Sequence, residues 1–164
     1  MLNQVYLNNI SLAQINVERV GVILFTIQQG ILKLGLAIDY KTGELTDFGG
    51  KIKKRDRNPI EGALRELREE TYNTCKFRLS DMKNNFIIFN HSMMILFVYI
   101  NYIDINNLKR NYFQGFRNSK RKETKGIKWI NYTDLRIMMR KDGIIYSKTK
   151  ELLNECDDLY SKLL

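Results

Sequence analysis

Phe48 to Thr71 reads F-G-G-K-I-K-K-R-D-R-N-P-I-E-G-A-L-R-E-L-R-E-E-T, a glycine pair, a basic stretch and a segment with helical periodicity. Asn58 is a good N-cap, because its side-chain oxygen can accept from a free amide of the first turn. Pro59 suits the first helical position, where an N–H has no partner anyway. The spacing predicts a helix from Asn58 to Thr71, entered through a glycine turn. At roughly 100° per residue, Ile60, Ala63, Leu64, Leu67 and Thr71 share one arc, and Glu66, Glu69 and Glu70 share another nearly opposite. One face is built to pack and the other is acidic. Glu61, Arg65 and Arg68 lie between them, and Glu61–Arg65 and Arg65–Glu69 have the i,i+4 spacing at which Arg65 can hold a carboxylate. Gly62 costs a helix interior about 1 kcal/mol against alanine. Four residues before Glu66, it leaves room beside the carboxylates.

Three carboxylates within about one turn repel one another unless a cation lies among them. Hard oxygen ligands of this kind suit Mg²⁺ or Mn²⁺, held together with substrate phosphates. An isolated E-x-x-E-E is more often a solvated acidic face; the glycine pair ahead of it favours the metal. With both features the chain resembles the Nudix hydrolases, whose signature is Gly, five residues, Glu, seven residues, then Arg-Glu-(apolar)-x-Glu-Glu-x-Gly-(apolar). Gly50 matches the opening glycine, and Arg65, Glu66, Leu67, Glu69 and Glu70 match the core, so the resemblance runs from Gly50 to Asn73. It implies hydrolysis of phosphoric anhydride bonds with Mg²⁺ or Mn²⁺. Glu66, Glu69 and Glu70 would be the metal ligands, with Glu66 alternatively the base that orients water. Arg65 would be their structural partner, and Gly49, Gly50 and Lys51 would close on metal and phosphates. Three departures stand out. The first acid is Asp56 rather than glutamate, and eight residues rather than seven separate it from Arg65, implying a one-residue bulge before the helix; the usual Pro-Gly-Gly entry is Phe48-Gly49-Gly50; and the closing Gly-apolar pair is Tyr72-Asn73. Asn73 can take the left-handed conformation that glycine normally supplies.

With 164 residues the chain is expected to form a single Nudix hydrolase domain, 1–164. Cys75 and Cys156 have no metal-ligand spacing, so a reducing, cytoplasmic location is the expectation, with nuclear entry open through the basic runs. The longest apolar run, Met93 to Ile100, is too short to span a bilayer. Strands are expected at Val20–Ile27, Ile31–Ile38, Cys75–Leu79, Phe86–Phe89, Met93–Ile103 and Ile127–Ile130. Helices are expected at Thr133–Arg140 and Ser147–Leu164. That order fits an α/β/α sandwich with a mixed central sheet. The segment E-T-K-G-I-K-W-I-N-Y-T-D-L resembles the family's late strand with its Trp, and Glu123 just before it stands where many members place a further glutamate that binds metal or acts as base. A solvated loop acid is the alternative. The only histidine, His91, lies among apolar residues and reads as structural.

Charge is the best clue to substrate. The net charge is +9, with cations at Lys51, Lys53, Lys54, Arg55 and Arg57 and again from Lys109 to Lys128. The aromatic residues Tyr112, Phe113 and Phe116 are interleaved with the second group, a composition suited to phosphate tracking and base stacking. Basic loops that merely solubilise the chain share that composition. Through G-G-K-I-K-K-R-D and I-K-W-I the chain also resembles, loosely, the viral mRNA-decapping branch of the family. Capped RNA therefore ranks first among substrates. Small nucleotides (oxidised nucleoside triphosphates, dinucleoside polyphosphates, ADP-ribose) and diphosphoinositol polyphosphates follow. A catalytically silent RNA-binding domain would have lost the three glutamates, which are all present. A homodimer is compatible with the family resemblance.

Overall fold

A computed structural model describes residues 1–164. In chain order its elements are β1 (Asn3–Tyr6), β2 (Arg19–Gln28), β3 (Ile31–Asp39), β4 (Leu45–Thr46), β5 (Phe48–Lys51), α1 (Pro59–Glu70), β6 (Phe86–Phe89) and β7 (Met93–Tyr99). There follow α2 (Ile105–Asn118), β8 (Thr124–Asn131), α3 (Tyr132–Met138), α4 (Ser147–Glu155) and α5 (Leu159–Leu163). The strands form one mixed sheet ordered β1-β6-β7-β2-β3-β4, with β5 added on β2 and β8 on β3. Only β2 and β7 run parallel.

The sheet forks at β2. Its second half, Leu24–Gln28, pairs with β3, whereas its first, Arg19–Val22, pairs antiparallel with β5. Ala37 and Ile38 at the end of β3 pair instead with β4. Successive strand residues point to opposite faces, so Val20, Val22 and Leu24 of β2 pack under α1 with Phe48, Ile60, Ala63, Leu64 and Leu67. Ile23 and Phe25 face the other way, joining Leu34, Leu36, Leu135, Leu152 and Leu159 beneath α3, α4 and α5. The result is the expected α/β/α sandwich, with the acidic helix edge-on to the fork.

Several expectations are corrected. Gly49 and Gly50 lie within strand β5, not in a turn, and the connection to the helix is the segment 52–58. No strand forms over Cys75–Leu79, and β7 stops at Tyr99, followed by a 3₁₀ turn over Tyr102–Asp104. The terminal helix breaks in two at Asp158, which adopts φ 50°. Helix α2 and strand β1 were not foreseen, and His91 is exposed in the β6–β7 turn. No helix is long and apolar enough to cross a membrane.

Candidate active site

The acidic helix is entered as its sequence dictates. The Asn58 side chain accepts from the Glu61 amide at 2.9 Å, and Pro59 occupies the first turn. Arg65 is its hub. Its Nε and Nη2 donate to the two oxygens of Asp56, both at 2.9 Å, and Nη1 donates to Glu66 Oε1 at 3.0 Å and Glu69 Oε2 at 3.1 Å. Nη2 also reaches the Lys51 carbonyl at 3.2 Å. A planar guanidinium with five donors suits this arrangement, which a lysine could not reproduce. Asp56 thus sits where the resemblance wanted a glutamate. The shorter side chain and the extra residue compensate each other, because the 52–58 segment turns back far enough for the Lys53 amide to bond Asp56 Oδ2 at 2.8 Å. Gly62 leaves room for this carboxylate, since a Cβ there would lie 3.1 Å from Asp56 Oδ2; it does not serve the glutamates. The anticipated Glu61–Arg65 pair is absent, as Glu61 turns to Arg57 at 3.4 Å.

The glycine pair has two separate uses because neighbouring strand residues face opposite ways. A Cβ on Gly50 would stand 2.7 Å from Glu66 Oε1, so this bare position lets the Glu66 carboxylate lie against β5. Gly49 faces Asp47. It pairs across the ladder with Gly21, and a Cβ on either would fall inside the Asp47 carboxylate, at 2.2 Å and 1.7 Å from Oδ2. Asp47 is fully buried in that gap. It accepts from Arg19 Nη2 at 3.0 Å, from Thr46 Oγ1 at 3.1 Å and from Thr149 Oγ1 of α4 at 2.5 Å. Arg19 in turn lies over the Tyr146 ring at 5.2 Å. Sequence reading did not single out Asp47, Arg19, Thr149 or Tyr146; the one available signal was an acid immediately before Phe-Gly-Gly.

Glu70 shows what this arrangement lacks. It is buried, its Oε1 has no hydrogen-bond partner, and burial together with Asp47, Glu66 and Glu123 pushes its carboxyl up to about 9. Glu66 is also raised, by burial first and by Glu69 and Glu123, against the opposing pull of Arg65. An orphaned carboxylate oxygen amid further hard oxygen donors fits a divalent cation, which would relieve the repulsion. Glu66 and Glu69 face Arg65, and Arg55 also reaches Glu69 at 3.2 Å. With the carboxylates so turned, no group of three acids is gathered around a common point. Glu66, Glu69, Glu70 and Arg65 are nevertheless brought together with Gly49 and Gly50, while Lys51 contributes its carbonyl and leaves its side chain exposed.

Two clefts flank the carboxylates. One, of about 570 Å³, is lined by Lys53, Arg55, Glu69, Tyr72, Arg121 and Glu123 among others, so cations from the two basic segments converge on one place and Glu123 joins Glu69 at its wall. The other, of about 210 Å³, lies in the fork and is bordered by Arg19, Asp39, Glu44, Gly49, Glu70 and Tyr146. Of the interleaved aromatics, Tyr112 is no stacking platform. It is buried against Tyr72, ring centroids 5.4 Å apart, and its hydroxyl meets Thr124 Oγ1 at 2.7 Å. Phe116 is half-buried between Tyr40 and Tyr72.

No protein-family model matches the sequence, and no curated protein matches it. Solved structures do. The chain is similar to the Nudix domain of NrtR from Shewanella oneidensis complexed with ADP ribose. The identity is 15% over 92% of this chain and 90% of that one, with a TM-score of 0.53. It is similar as well to a C. elegans Ap4A hydrolase in a binary complex, at 14% identity over 84% of this chain and 93% of that one, with a TM-score of 0.50. The chain has the Nudix fold. At these identities the likeness is one of architecture, and the chain's own residues must carry the chemistry. In the Nudix frame, Tyr72 takes the closing glycine position and adopts a glycine-like φ of 53°, followed by Asn73 at 63°. Such a conformation is costly for a bulky residue. The Tyr72 ring and its hydroxyl bond to the Thr124 carbonyl at 2.6 Å hold it in place.

Proposed function

We propose that this Nudix-fold chain is a divalent-metal-dependent hydrolase of the diphosphate bond in a nucleoside diphosphate linked to another moiety, and that its substrate is the capped 5′ end of messenger RNA. The observation that carries the hydrolase reading is the buried, unpartnered Glu70 oxygen beside Glu66 and Glu69, all on one helix against bare glycine backbone. Mg²⁺ or Mn²⁺ held by Glu66, Glu69 and Glu70 would neutralise phosphate charge and lower the pKa of the attacking water. Arg65 fixes Glu66 through Oε1 and leaves Oε2 free to accept a proton from that water. Lys53, Arg55 and Arg121 are set to take phosphate charge in the larger cleft, and Glu123 stands on its wall as a second acceptor. No covalent intermediate is required. The high positive charge supports a polymeric substrate over a free nucleotide.

A second reading, small dinucleotide substrates, is favoured by the neighbours that bind ADP ribose or are named for Ap4A. Product mapping with Mg²⁺ and Mn²⁺ separates the two. Cap-labelled RNA, nucleoside triphosphates, ADP-ribose, Ap4A and diphosphoinositol polyphosphate are compared, each beside the Glu69→Gln/Glu70→Gln variant. Release of capped nucleoside diphosphate from RNA alone supports decapping. Turnover of small substrates alone supports the second reading, and no turnover of any substrate overturns the hydrolase assignment.

A further inference from the structure

Helix α2 contains no acid. From Ile105 to Lys122 the chain carries Lys109, Arg110, Arg117, Lys120, Arg121 and Lys122 with no acidic residue among them. The helix buries Ile105, Leu108 and Tyr112 against the protein. Along one flank beside that buried stripe Asn106, Arg110, Phe113 and Arg117 follow one another at i, i+4, i+7 and i+11, all exposed. Phe113 is the anomaly. Its ring is 57% exposed, packing does not need it because Tyr112 supplies the inward aromatic, and the Arg117 guanidinium lies over it at 5.7 Å. Both ends of the helix open into clefts. The C-terminal end borders the 570 Å³ cleft that reaches Glu69. The N-terminal end borders another, of about 560 Å³, where Lys109 and Asn106 face Trp129, Tyr102 and Lys33. The Trp129 indole N–H is itself buried and has no partner.

We propose that this flank of α2 is a binding track for single-stranded RNA, running from the Trp129 cleft past Phe113 and round the end of the helix, by Arg121, to the cleft beside Glu69. Cations at the spacing of a helix face take backbone phosphates, and the π-faces of Phe113, Tyr102 and Trp129 take unpaired bases, the two components of sequence-tolerant single-strand binding. A membrane surface fits less well, because it would require the helix's apolar stripe, which is already buried. Fourteen helical residues at about 1.5 Å each span roughly 21 Å, so the track takes several nucleotides and discriminates against free nucleotides by length. The inference deepens the decapping reading and rests on it only for where the 5′ end lies; binding itself needs no hydrolysis.

The test is fluorescence anisotropy with an uncapped, 5′-labelled single-stranded RNA of about a dozen nucleotides. The full chain is used in EDTA across a salt series, with thermal midpoints as the check on folding. Each single-strand phosphate contact contributes about 0.7 to the salt slope. Lys109→Gln/Arg110→Gln/Arg117→Gln should therefore flatten the plot of log affinity against log salt by about 2. Phe113→Ala should weaken binding roughly tenfold without changing the slope, and Phe113→Trp should retain it. Unchanged affinity in both the triple variant and Phe113→Ala would overturn the track. So would equal binding of duplex RNA with no Phe113 effect, or binding to anionic vesicles that RNA does not compete away. Mg²⁺-dependent hydrolysis of cap-labelled RNA, Ap4A and ADP-ribose by the unaltered chain is measured separately. Activity there with unaltered RNA affinity in the α2 variants sinks the track alone, and loss of RNA affinity without any hydrolysis sinks the enzyme reading alone.

Discussion

Asp56→Asn removes one charge and one acceptor from the most concentrated set of polar bonds in the chain. Asp56 and Arg65 have side chains 4% and 6% exposed, and two bonds of 2.9 Å join them. Asparagine keeps one acceptor and turns an NH₂ group towards an N–H of the guanidinium, so one bond becomes a donor–donor contact. A bond to a charged group contributes about 1.5–3 kcal/mol, and breaking a buried pair outright costs about 3–5 kcal/mol. Arg65 keeps Glu66 and Glu69, so the cost should fall short of the full pair, at about 2–3 kcal/mol. For a chain of this size that is a fall in Tm of roughly 4–12 °C. Urea unfolding should show a lower midpoint at an unchanged m-value. The Arg65 hydrogen bond holds Asp56 below the usual carboxylate range. Because the folded value is lowered, the ionised group stabilises the fold above the unfolded pKa of about 3.9. That contribution is lost as pH falls through the folded value. The stability gap between parent and variant should therefore be constant near neutrality and close in acid. A gap under about 0.5 kcal/mol at pH 7, or one that widens in acid, would refute the assignment of Asp56 as the anchor of Arg65.

Other substitutions probe the bare strand and the carboxylates it shelters. Gly50→Ala, whose Cβ would meet only the tip of Glu66 at 2.7 Å, should change the unfolding free energy by less than about 1 kcal/mol while lowering kcat tenfold or more as Glu66 is displaced. Gly49→Ala meets the Val20 carbonyl at 2.5 Å as well as the Asp47 carboxylate. It should lose at least about 1–3 kcal/mol in urea unfolding through overpacking. Glu66→Gln retains the oxygen that Arg65 holds and should stay folded by circular dichroism, yet lose on the order of 10² to 10⁴ in turnover; an unchanged kcat would remove Glu66 from the mechanism. Isothermal titration with Mn²⁺ should show binding in the unaltered chain and at least tenfold weaker binding in Glu70→Gln.

What could be read from the sequence was what local rules determine. The start of α1, its packing arc and the gathering of Glu66, Glu69 and Glu70 all follow from Asn58, Pro59 and a 3.6-residue period. The β2–β3 hairpin follows from Gly30 between two β-rich runs. What could not be read depends on pairs distant in sequence. Asp47 matters because Gly21 and Gly49 meet across a ladder and Thr149 arrives from α4, and no spacing within the chain announces that meeting. The eight-residue spacing already implies a bulge before α1, but that Asp56 reaches Arg65 from it, with the Lys53 amide bonded to Asp56 Oδ2, depends on how the 52–58 segment folds back. Helix α2 is hidden in the sequence for a different reason. Its apolar stripe, Ile105, Leu108, Tyr112 and Phe116, is a single file among Asn, Lys and Arg, too narrow for helical periodicity to stand out from the charge. Cys75–Leu79 has the composition of a strand, but it follows directly on the tight turn after α1, where Tyr72 and Asn73 both take left-handed backbone, and pairs with no neighbour.

That turn also explains why α2 and the acidic helix belong to one device. Gly115 sits in mid-helix, where alanine would be preferred by about 1 kcal/mol. A Cβ there would approach Tyr72 Cβ to 2.7 Å, so the glycine admits the strained tyrosine to the surface of α2. On the other side Thr124, at the start of β8, donates to the Glu70 carbonyl at 2.7 Å and meets the Tyr112 hydroxyl at the same distance. The last turn of the acidic helix is therefore fixed from both sides by residues of α2 and β8. Binding along α2 would have a short hydrogen-bonded route to Glu70, from the Tyr112 hydroxyl through Thr124 Oγ1 to the Glu70 carbonyl. If RNA on α2 improves catalysis beyond raising local substrate concentration, Tyr112→Phe should abolish that gain in kcat while leaving RNA affinity intact. A kcat that still rises with RNA length in Tyr112→Phe would assign the whole benefit to binding.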